Sequence, residues 1–239
     1  MTELKQLRNI SLFNNNFSGV IPQSLGINSS LVDLDLTNNK FTGNVPPNLC
    51  FGNKLTILTK GFNQLQGSIP PHVVGNCTTL RRLILRLPDF ESNLNLEYMD
   101  ISSNKINGGI PSSLGYCKHL TNLNLSRNKL TGLMPSELGK LVNVQTLDLA
   151  CNHLEGPLPP QLSQCTKMDR FDVGFNFLNG SLPSSLQSWT RLTSLILSHN
   201  YFSGGIPYFL SKFKKLFELQ LGGNIFGGEF LVLLELGRI

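Results

Sequence analysis

The sequence contains no apolar run long enough to cross a bilayer, and its first residues lack the charged and apolar segments of a secretory signal peptide. We therefore expect neither a membrane span nor a signal peptide within these 239 residues. The net charge of +5 is modest, and the basic residues are not interleaved with aromatic ones as they would be on a nucleic-acid surface. Neither nucleic acid binding nor membrane insertion is expected of this chain.

Catalytic and metal-binding patterns are missing as well. The four histidines are widely separated, and no Ser/His/Asp set, glycine-rich phosphate loop or kinase motif is present. The five cysteines form neither a CxxC pair nor a Cys/His cluster with metal-ligand spacing. We expect no enzyme activity, no cofactor and no bound metal.

Three of the cysteines occupy a slot that other parts of the chain fill with apolar residues. Cys77, Cys117 and Cys165 stand where Leu141 and Trp189 stand elsewhere. Side chains that face the same way from separate segments rarely meet disulfide geometry. We therefore predict that these cysteines are buried free thiols that replace apolar side chains.

What the chain does have is a regular series of asparagines. Asn15, Asn39, Asn63, Asn104, Asn128, Asn152, Asn176, Asn200 and Asn224 are separated by 24 residues, except for one interval of 41 between Asn63 and Asn104. A fixed period of this length is typical of a stacked solenoid, in which no unit can bury its apolar face alone. The chain is therefore predicted to be an array of coils.

Each period carries the pattern LxxLxLxxNxLxGxIP, which is clearest from Leu120 to Pro135. Leu123 and Leu125 alternate as in a short strand, so both point inward while their neighbours face out. The amide of Asn128 is predicted to turn into the core and satisfy backbone groups that a tight coil would leave unpaired. Gly132 allows a backbone geometry that residues with a β-carbon avoid.

Ten units follow from this phase, with strands centred near residues 10, 34, 58, 83, 99, 123, 147, 171, 195 and 219. The fourth unit, near 83–98, is shortened and lacks its Asn, Gly and Ile-Pro. The loss of these stabilising devices favours a tolerated deletion over a deliberate kink. We assign residues 1–229 to the solenoid and 230–239 to a tail outside the repeat.

The pattern resembles the plant-type leucine-rich repeat, from Leu4 to about Glu229. The resemblance implies an α/β-type solenoid that forms a right-handed superhelix. Short parallel strands would line its concave face, a second short strand would follow in each repeat, and the convex side would be mostly irregular or 3-10 helical.

The outward strand positions, read from the repeat phase, give the candidate ligand-binding residues. They are Arg82, Arg86, Tyr98, Asp100, Ser102, Asn122, Asn124, Asp148, Arg170, Asp172 and Phe175. Aromatic side chains next to charges across several coils suit an extended polypeptide better than a compact small molecule. Arg82 and Arg86 could bind a free carboxylate through charge-assisted hydrogen bonds.

Six Asn-x-Ser/Thr sequons add a second set of candidate sites. They are Asn9, Asn16, Asn28, Asn76, Asn124 and Asn179. Such asparagines become N-glycosylated only in a chain that enters the secretory pathway.

Several segments are similar to the ectodomain of plant leucine-rich-repeat receptor kinases that perceive Pep-type danger peptides. They include residues 46–50, 80–86, 170–176 and 202–207. The resemblance implies the extracellular side of a plasma-membrane receptor, a secreted peptide ligand, a co-receptor kinase and a role in defence signalling. It also implies that Arg82 or Arg86 anchors the C-terminus of the peptide.

Two alternatives stay open from the sequence. One is a free-standing interaction scaffold, like the repeat proteins that inhibit cell-wall-degrading enzymes, which would bind a folded protein on its concave face. The other is a truncated receptor gene product without a ligand, whose uncapped ends would expose apolar leucines.

Overall fold

A computed structural model describes residues 6–27, 29–44, 46, 48–49, 51, 54–59, 63–65, 82–84 and 96–228. The strands of this part are numbered β1 to β17 in chain order. Ten of them form one parallel sheet in which each strand pairs with the equivalent strand of the next coil. These are β1 Asn9–Ser11, β3 Asp33–Asp35, β5 Ile57–Thr59, β6 Arg82–Ile84, β7 Tyr98–Asp100, β9 Asn122–Asn124, β11 Thr146–Asp148, β13 Arg170–Asp172, β15 Ser194–Ile196 and β17 Glu218–Gln220. All ten predicted strand positions are confirmed.

In the described residues a second layer of short strands follows seven of the ten strands of this sheet. Its short strands are β2 Ser18–Val20, β4 Lys40–Thr42, β8 Asn107–Gly108, β10 Lys129–Leu133, β12 His153–Gly156, β14 Phe177–Gly180 and β16 Tyr201–Phe202. They pair in parallel as two groups, β2 with β4 and β8 through β16 in order. The second short strand that the resemblance implies is therefore present in seven of the ten coils as described, and the fold is the leucine-rich-repeat solenoid.

Five 3-10 helices form the opposite side of the coils that begin with β7, β9, β11, β13 and β15. They are η1 Ser112–Tyr116, η2 Ser136–Lys140, η3 Pro160–Gln164, η4 Ser184–Ser188 and η5 Tyr208–Lys212. Each follows a proline, and because the ring fixes φ the chain leaves the second layer in one direction. The described part of the chain contains no helix with the length and hydrophobicity that a bilayer crossing needs.

The core lies between the sheet and the 3-10 helices. The middle residue of each strand in coils β7 to β15 points inward and is buried, from Met99 through Leu123 and Leu147 to Leu195. Fully burying a side chain of this size contributes about 1.5–3 kcal/mol, so stability is spread along the array.

The repeated cysteine slot is confirmed for two of its three members. Cys117 and Cys165 are fully buried free thiols, and burial raises the pKa of each to about 12. The Trp189 indole occupies the same slot and donates a hydrogen bond to Leu162 O at 2.9 Å. Cys165 Sγ reaches the equivalent carbonyl of Leu138 at 3.4 Å. Cys77 lies outside the described residues.

The asparagine series forms a hydrogen-bonded ladder through the core. Asn128 Nδ2 donates to Leu125 O at 3.0 Å and Ser126 O at 3.1 Å within its own coil, and to Ile101 O of the preceding coil at 3.0 Å. Its Oδ1 accepts from Ile106 N at 3.1 Å. One side chain therefore joins two coils, as the sequence predicts.

Asn104 begins the second described stretch of the ladder. Its Oδ1 is buried and has no hydrogen-bond partner in the described parts of the chain. Arg82 of β6 pairs with Tyr98 of β7, an offset of 16 residues, where other neighbouring strands of this sheet pair at 24 or 25. The predicted short unit near 83–98 lies mostly outside the described residues, and so does the tail at 230–239.

A backbone feature that the sequence pattern did not reveal precedes the ladder. In the described residues, the position before a ladder asparagine adopts a left-handed conformation, with φ of 54–58° at Asn14, Asn38, Ser103, Arg127, Cys151, Phe175 and His199. Only the last described member of the series is glycine, at Gly223 with φ 71°. Because this conformation costs a residue with a β-carbon roughly 1–2 kcal/mol, the ladder bonds must offset strain in each coil.

We predict that Gly132→Ala lowers the free energy of unfolding by about 1 kcal/mol. Gly132 has φ 75°, and a β-carbon there would touch nothing within 4 Å, so the loss reflects backbone strain alone. Chemical denaturation measures it. Gly109→Ala is the matched control, because Gly109 lies outside the left-handed region and a β-carbon would meet only Thr131 O at 3.7 Å. An equal loss in both variants would contradict the strain argument.

Candidate functional site

The outer face of the ten-stranded sheet presents two rows of side chains that run from coil to coil. The first outer row holds the first residue of each strand from β7 to β17: Tyr98, Asn122, Thr146, Arg170, Ser194 and Glu218. The second outer row holds the third residue: Asp100, Asn124, Asp148, Asp172, Ile196 and Gln220. Since neighbouring strands lie about 4.8 Å apart, each row is roughly 24 Å long.

Arg170 is the centre of a charged network on the first row. Its guanidinium contacts Asp172 Oδ2 at 3.0 Å and Glu218 Oε2 at 3.2 Å, and it donates to Ser194 Oγ at 3.2 Å. Ser194 Oγ in turn donates to Glu218 Oε2 at 2.6 Å. The network spans three strands and holds Arg170 in a fixed orientation.

The second row has a structural task in addition to facing outward. Asp100, Asp148 and Asp172 each accept, through Oδ1, a hydrogen bond from the backbone N–H two residues later. Asn124 does the same for Ser126 N at 3.0 Å. Such Asx turns guide the chain out of the strand. One oxygen of each side chain is therefore committed to the fold.

The electrostatics of the two rows differ. Burial raises the pKa of Asp148, and the neighbouring carboxylates Asp172 and Asp100 raise it further against the hydrogen bond from Ala150. Burial also raises the pKa of Asp172, which Gly174 and Arg170 partly oppose. The hydrogen bond from Ser194 lowers the pKa of Glu218, with Arg170 adding to the effect. Asp148 thus has a desolvated negative charge that the nearby Arg170 compensates only in part, and in the described residues Asp148 forms no salt bridge.

We predict that Asp148→Asn stabilises the protein at pH 7. Because the folded state disfavours the ionised form, the charged carboxylate is a cost above its raised pKa. That cost disappears as the pH falls towards the ordinary value of 3.8. Asn keeps the turn, as Asn124 shows at the equivalent position. Thermal unfolding of both proteins between pH 7 and 3.5 should show a gain that shrinks with acid.

Glu218→Gln is the control of opposite sign. A lowered pKa means that the folded state favours the carboxylate, so its contribution is present above the ordinary value of 4.5 and is lost as the pH falls through the lowered pKa. The variant should therefore be less stable than the parent at pH 7. The same sign for both variants would contradict this assignment.

The structure brings together most of the predicted ligand-binding residues. Tyr98, Asp100, Asn122, Asn124, Asp148 and Arg170 are partly exposed on the two rows. Ser102 and Asp172 are more than nine-tenths buried, because each belongs to the Asx turn behind its strand. Arg82 lies on β6 at the position that extends the first row, whereas Arg86 lies outside the described residues.

Five row members were not among the predicted residues: Thr146, Ser194, Ile196, Glu218 and Gln220. The repeat phase places all five outward, so the phase alone could have found them, although Ser194 and Ile196 are buried. The ion pair from Arg170 to Glu218 could not be found in this way, because it joins residues two coils apart.

The repeat phase predicted that Phe175 lies on the concave face, but in the structure Phe175 lies at the edge of the sheet. Its ring stacks on His199 at 4.2 Å, and a shallow groove of about 390 Å³ lies beside this pair. On the other side of the groove His153, Phe177 and Tyr201 form a row on consecutive strands of the second layer, with ring centroids 5.7 and 6.2 Å apart. We name the Phe177–Tyr201 pair the aromatic edge.

The described sequons differ in accessibility. Asn9, Asn16 and Asn179 are exposed. Asn124 is partly buried, and its amide donates to Asp100 Oδ2 at 3.3 Å. Asn28 and Asn76 lie outside the described residues. Within the described ranges no three His, Cys, Asp or Glu side chains are grouped to hold a metal ion.

Family models with the description leucine rich repeat match residues 94–154 and, as single repeats, residues 6–27, 30–51 and 191–213. A search of curated proteins found no match. Solved structures do match, at high similarity over most of the chain.

The crystal structure of PEPR1-AtPEP1 is 52% identical over 96% of this chain, with a TM-score of 0.87. The plant peptide hormone receptor RGFR1 in complex with RGF2 is 33% identical over 98%, with a TM-score of 0.87. The Arabidopsis receptor kinase HAESA, in complex with the peptide hormone IDA and the co-receptor SERK1, is 34% identical over 96%, with a TM-score of 0.86. The chain spans 33%, 39% and 40% of these three structures.

Proposed function

The chain belongs to the leucine-rich-repeat family, and from this premise we propose that it is the peptide-recognition portion of a plant cell-surface receptor kinase. The observation that carries the proposal is the 52% identity to the PEPR1-AtPEP1 structure over 96% of the chain. The three receptors compared above were each solved with a ligand, which supports the same role for this chain.

The shape and chemistry of the outer rows suit an extended peptide that crosses the strands. A peptide strand advances about 3.3 Å per residue, so roughly seven residues match the 24 Å of each row. Polar side chains on the rows can bind the peptide backbone, and the fixed Arg170 network lowers the entropy that binding would otherwise cost.

The finer parts of the proposal follow the relatives. We propose a secreted peptide as ligand, a co-receptor kinase as partner, the extracellular side of the plasma membrane as location and defence signalling as the process. The described residues act by binding and perform no catalysis. The co-receptor in the HAESA complex supports the partner, and six sequons are compatible with an extracellular chain.

The test is isothermal titration of the full chain with synthetic AtPEP1. We expect saturable, one-to-one binding of AtPEP1. RGF2, the ligand of a receptor only 33% identical to this chain, should displace AtPEP1 poorly. A folded chain that gives no heat with AtPEP1 at micromolar concentrations would overturn the proposal for this ligand class.

A further inference from the structure

Asn179 is an exposed sequon asparagine inside a regular strand. It lies in β14, Phe177–Gly180, and is followed by Gly180 and Ser181, which complete the Asn-x-Ser pattern. Neighbouring residues in the strand alternate, since Phe177 and Asn179 are exposed and Leu178 between them is buried. Phe177 and Asn179 therefore point outward on the same face.

The aromatic edge flanks this asparagine on two sides. Phe177 precedes it by two residues and is 46% exposed. Tyr201 of β16 lies directly opposite Asn179 in the strand register and is 54% exposed. The two rings are stacked with centroids 6.2 Å apart and planes inclined by 19°. The first atoms of a group attached to Asn179 Nδ2 would therefore lie beside two exposed rings.

An N-linked glycan fits this position chemically. Its first sugar, N-acetylglucosamine, presents an acetyl methyl group and a face of ring C–H bonds, which gain by leaving water against an aromatic ring. We propose that Asn179 is N-glycosylated and that its first N-acetylglucosamine packs on Phe177, with Tyr201 at its side. The aromatic edge is then a platform for the protein's own sugar.

The attachment is the reaction of the secretory pathway with a lipid-linked oligosaccharide diphosphate. A bond forms between Asn179 Nδ2 and the anomeric carbon as the C–O bond to the diphosphate breaks. The amide loses one proton and the diphosphate leaves with the electron pair. The inference therefore rests on the extracellular placement proposed above, but not on peptide binding.

The other exposed sequons in the described residues lack this arrangement. Two residues before Asn16 stands Asn14, and two before Asn9 stands Leu7, which packs against the core. The three sequon asparagines are all exposed, so exposure does not distinguish them. Asn16 also has rings nearby, since Phe17 directly follows it and stacks on Phe41 at 6.3 Å. Among the described exposed sequons, Asn179 is distinguished by an exposed ring two residues before it on the same face of its strand.

The experiment uses the full chain secreted from a glycosylating eukaryotic cell behind an added leader. Glycopeptide mass spectrometry measures occupancy at Asn179. Thermal unfolding is then compared before and after trimming with an endoglycosidase that leaves one N-acetylglucosamine, and after an amidase that removes the whole glycan. We expect trimming to leave the midpoint unchanged and complete removal to lower it by about 2 °C.

Phe177→Ala should abolish the decrease in the unfolding midpoint that complete removal of the glycan causes, and Phe177→Tyr should retain this decrease. Phe17→Ala is the matched control, because Phe17 is also 46% exposed but directly follows Asn16 instead of preceding it by two. A measurement on the parent protein needs no variant: the acetyl methyl proton signal at Asn179 should be shifted upfield by the Phe177 ring.

An unmodified Asn179, an equal effect of glycan removal in the parent and in Phe177→Ala, or an unshifted acetyl methyl signal would each overturn the inference. Titration with AtPEP1 is a separate measurement. A chain that carries the packed sugar but does not bind peptide would leave this inference standing and remove only the proposed ligand.

Discussion

Asn152→Ala is expected to lower the free energy of unfolding by about 4 kcal/mol, since it leaves several buried backbone groups unpaired at about 1–3 kcal/mol each. Asn152 Nδ2 donates to Leu125 O at 3.1 Å and to Leu149 O at 3.0 Å. Its Oδ1 accepts from Leu130 N at 3.0 Å. Asn152 is 95% buried between two coils, so bulk solvent does not reach the backbone groups that its amide pairs. Equilibrium unfolding in urea measures the loss.

Asn15→Ala is the control from the first coil. Asn15 is exposed, and among the described residues its side-chain amide donates to two carbonyls of its own coil, Leu12 O at 3.2 Å and Phe13 O at 3.0 Å. Its removal should cost well under 1 kcal/mol, because water can pair both carbonyls. If the two variants lost equal stability, the cross-coil bonds of the ladder would not be the source of its contribution.

The comparison of these two asparagines shows what the repeat pattern can predict. A 24-residue period fixes the direction of each side chain, so it located all ten strands, the ladder and the buried thiols at Cys117 and Cys165. The period does not fix how deeply a side chain is buried. Asp172 faces outward by phase, yet neighbouring side chains and its own turn bury it.

The left-handed residues before the ladder were missed for a related reason. Positions such as Arg127 and Phe175 share a backbone conformation but no side-chain chemistry, so no residue type marks them. The conformation is imposed by the turn that brings the next asparagine into the core. The same turn places Phe175 at the edge of the sheet. The repeat phase of the strand does not predict this position, because Phe175 lies beyond the end of the strand.

The predicted fold and the proposed site also depend on the same atoms. At Asp100, Asn124 and Asp148 of the second outer row, Oδ1 holds the Asx turn, and only the other oxygen or nitrogen of the side chain can contact a ligand. Substitutions that remove these side chains would therefore change stability and affinity together. A test of peptide recognition is cleaner at a residue that holds no turn.

Arg82→Ala combined with Arg86→Ala is expected to weaken binding of AtPEP1 by about 100-fold, the effect of losing charge-assisted hydrogen bonds to a carboxylate. Arg82 extends the first outer row through its register with Tyr98, so a peptide that ends there can lie along the remaining row. Titration calorimetry of the parent and the double variant gives the ratio of the dissociation constants.

The same experiment with a C-terminally amidated AtPEP1 separates the anchor from other causes. Amidation removes the carboxylate charge, so it should weaken binding to the parent but make little difference to the double variant. Arg191→Ala is the matched control, because Arg191 is exposed and lies before β15, outside both outer rows. A broad protein-docking scaffold would lose little affinity in either test. If amidation weakened binding to the parent and to the double variant equally, the arginines would not be the carboxylate anchor.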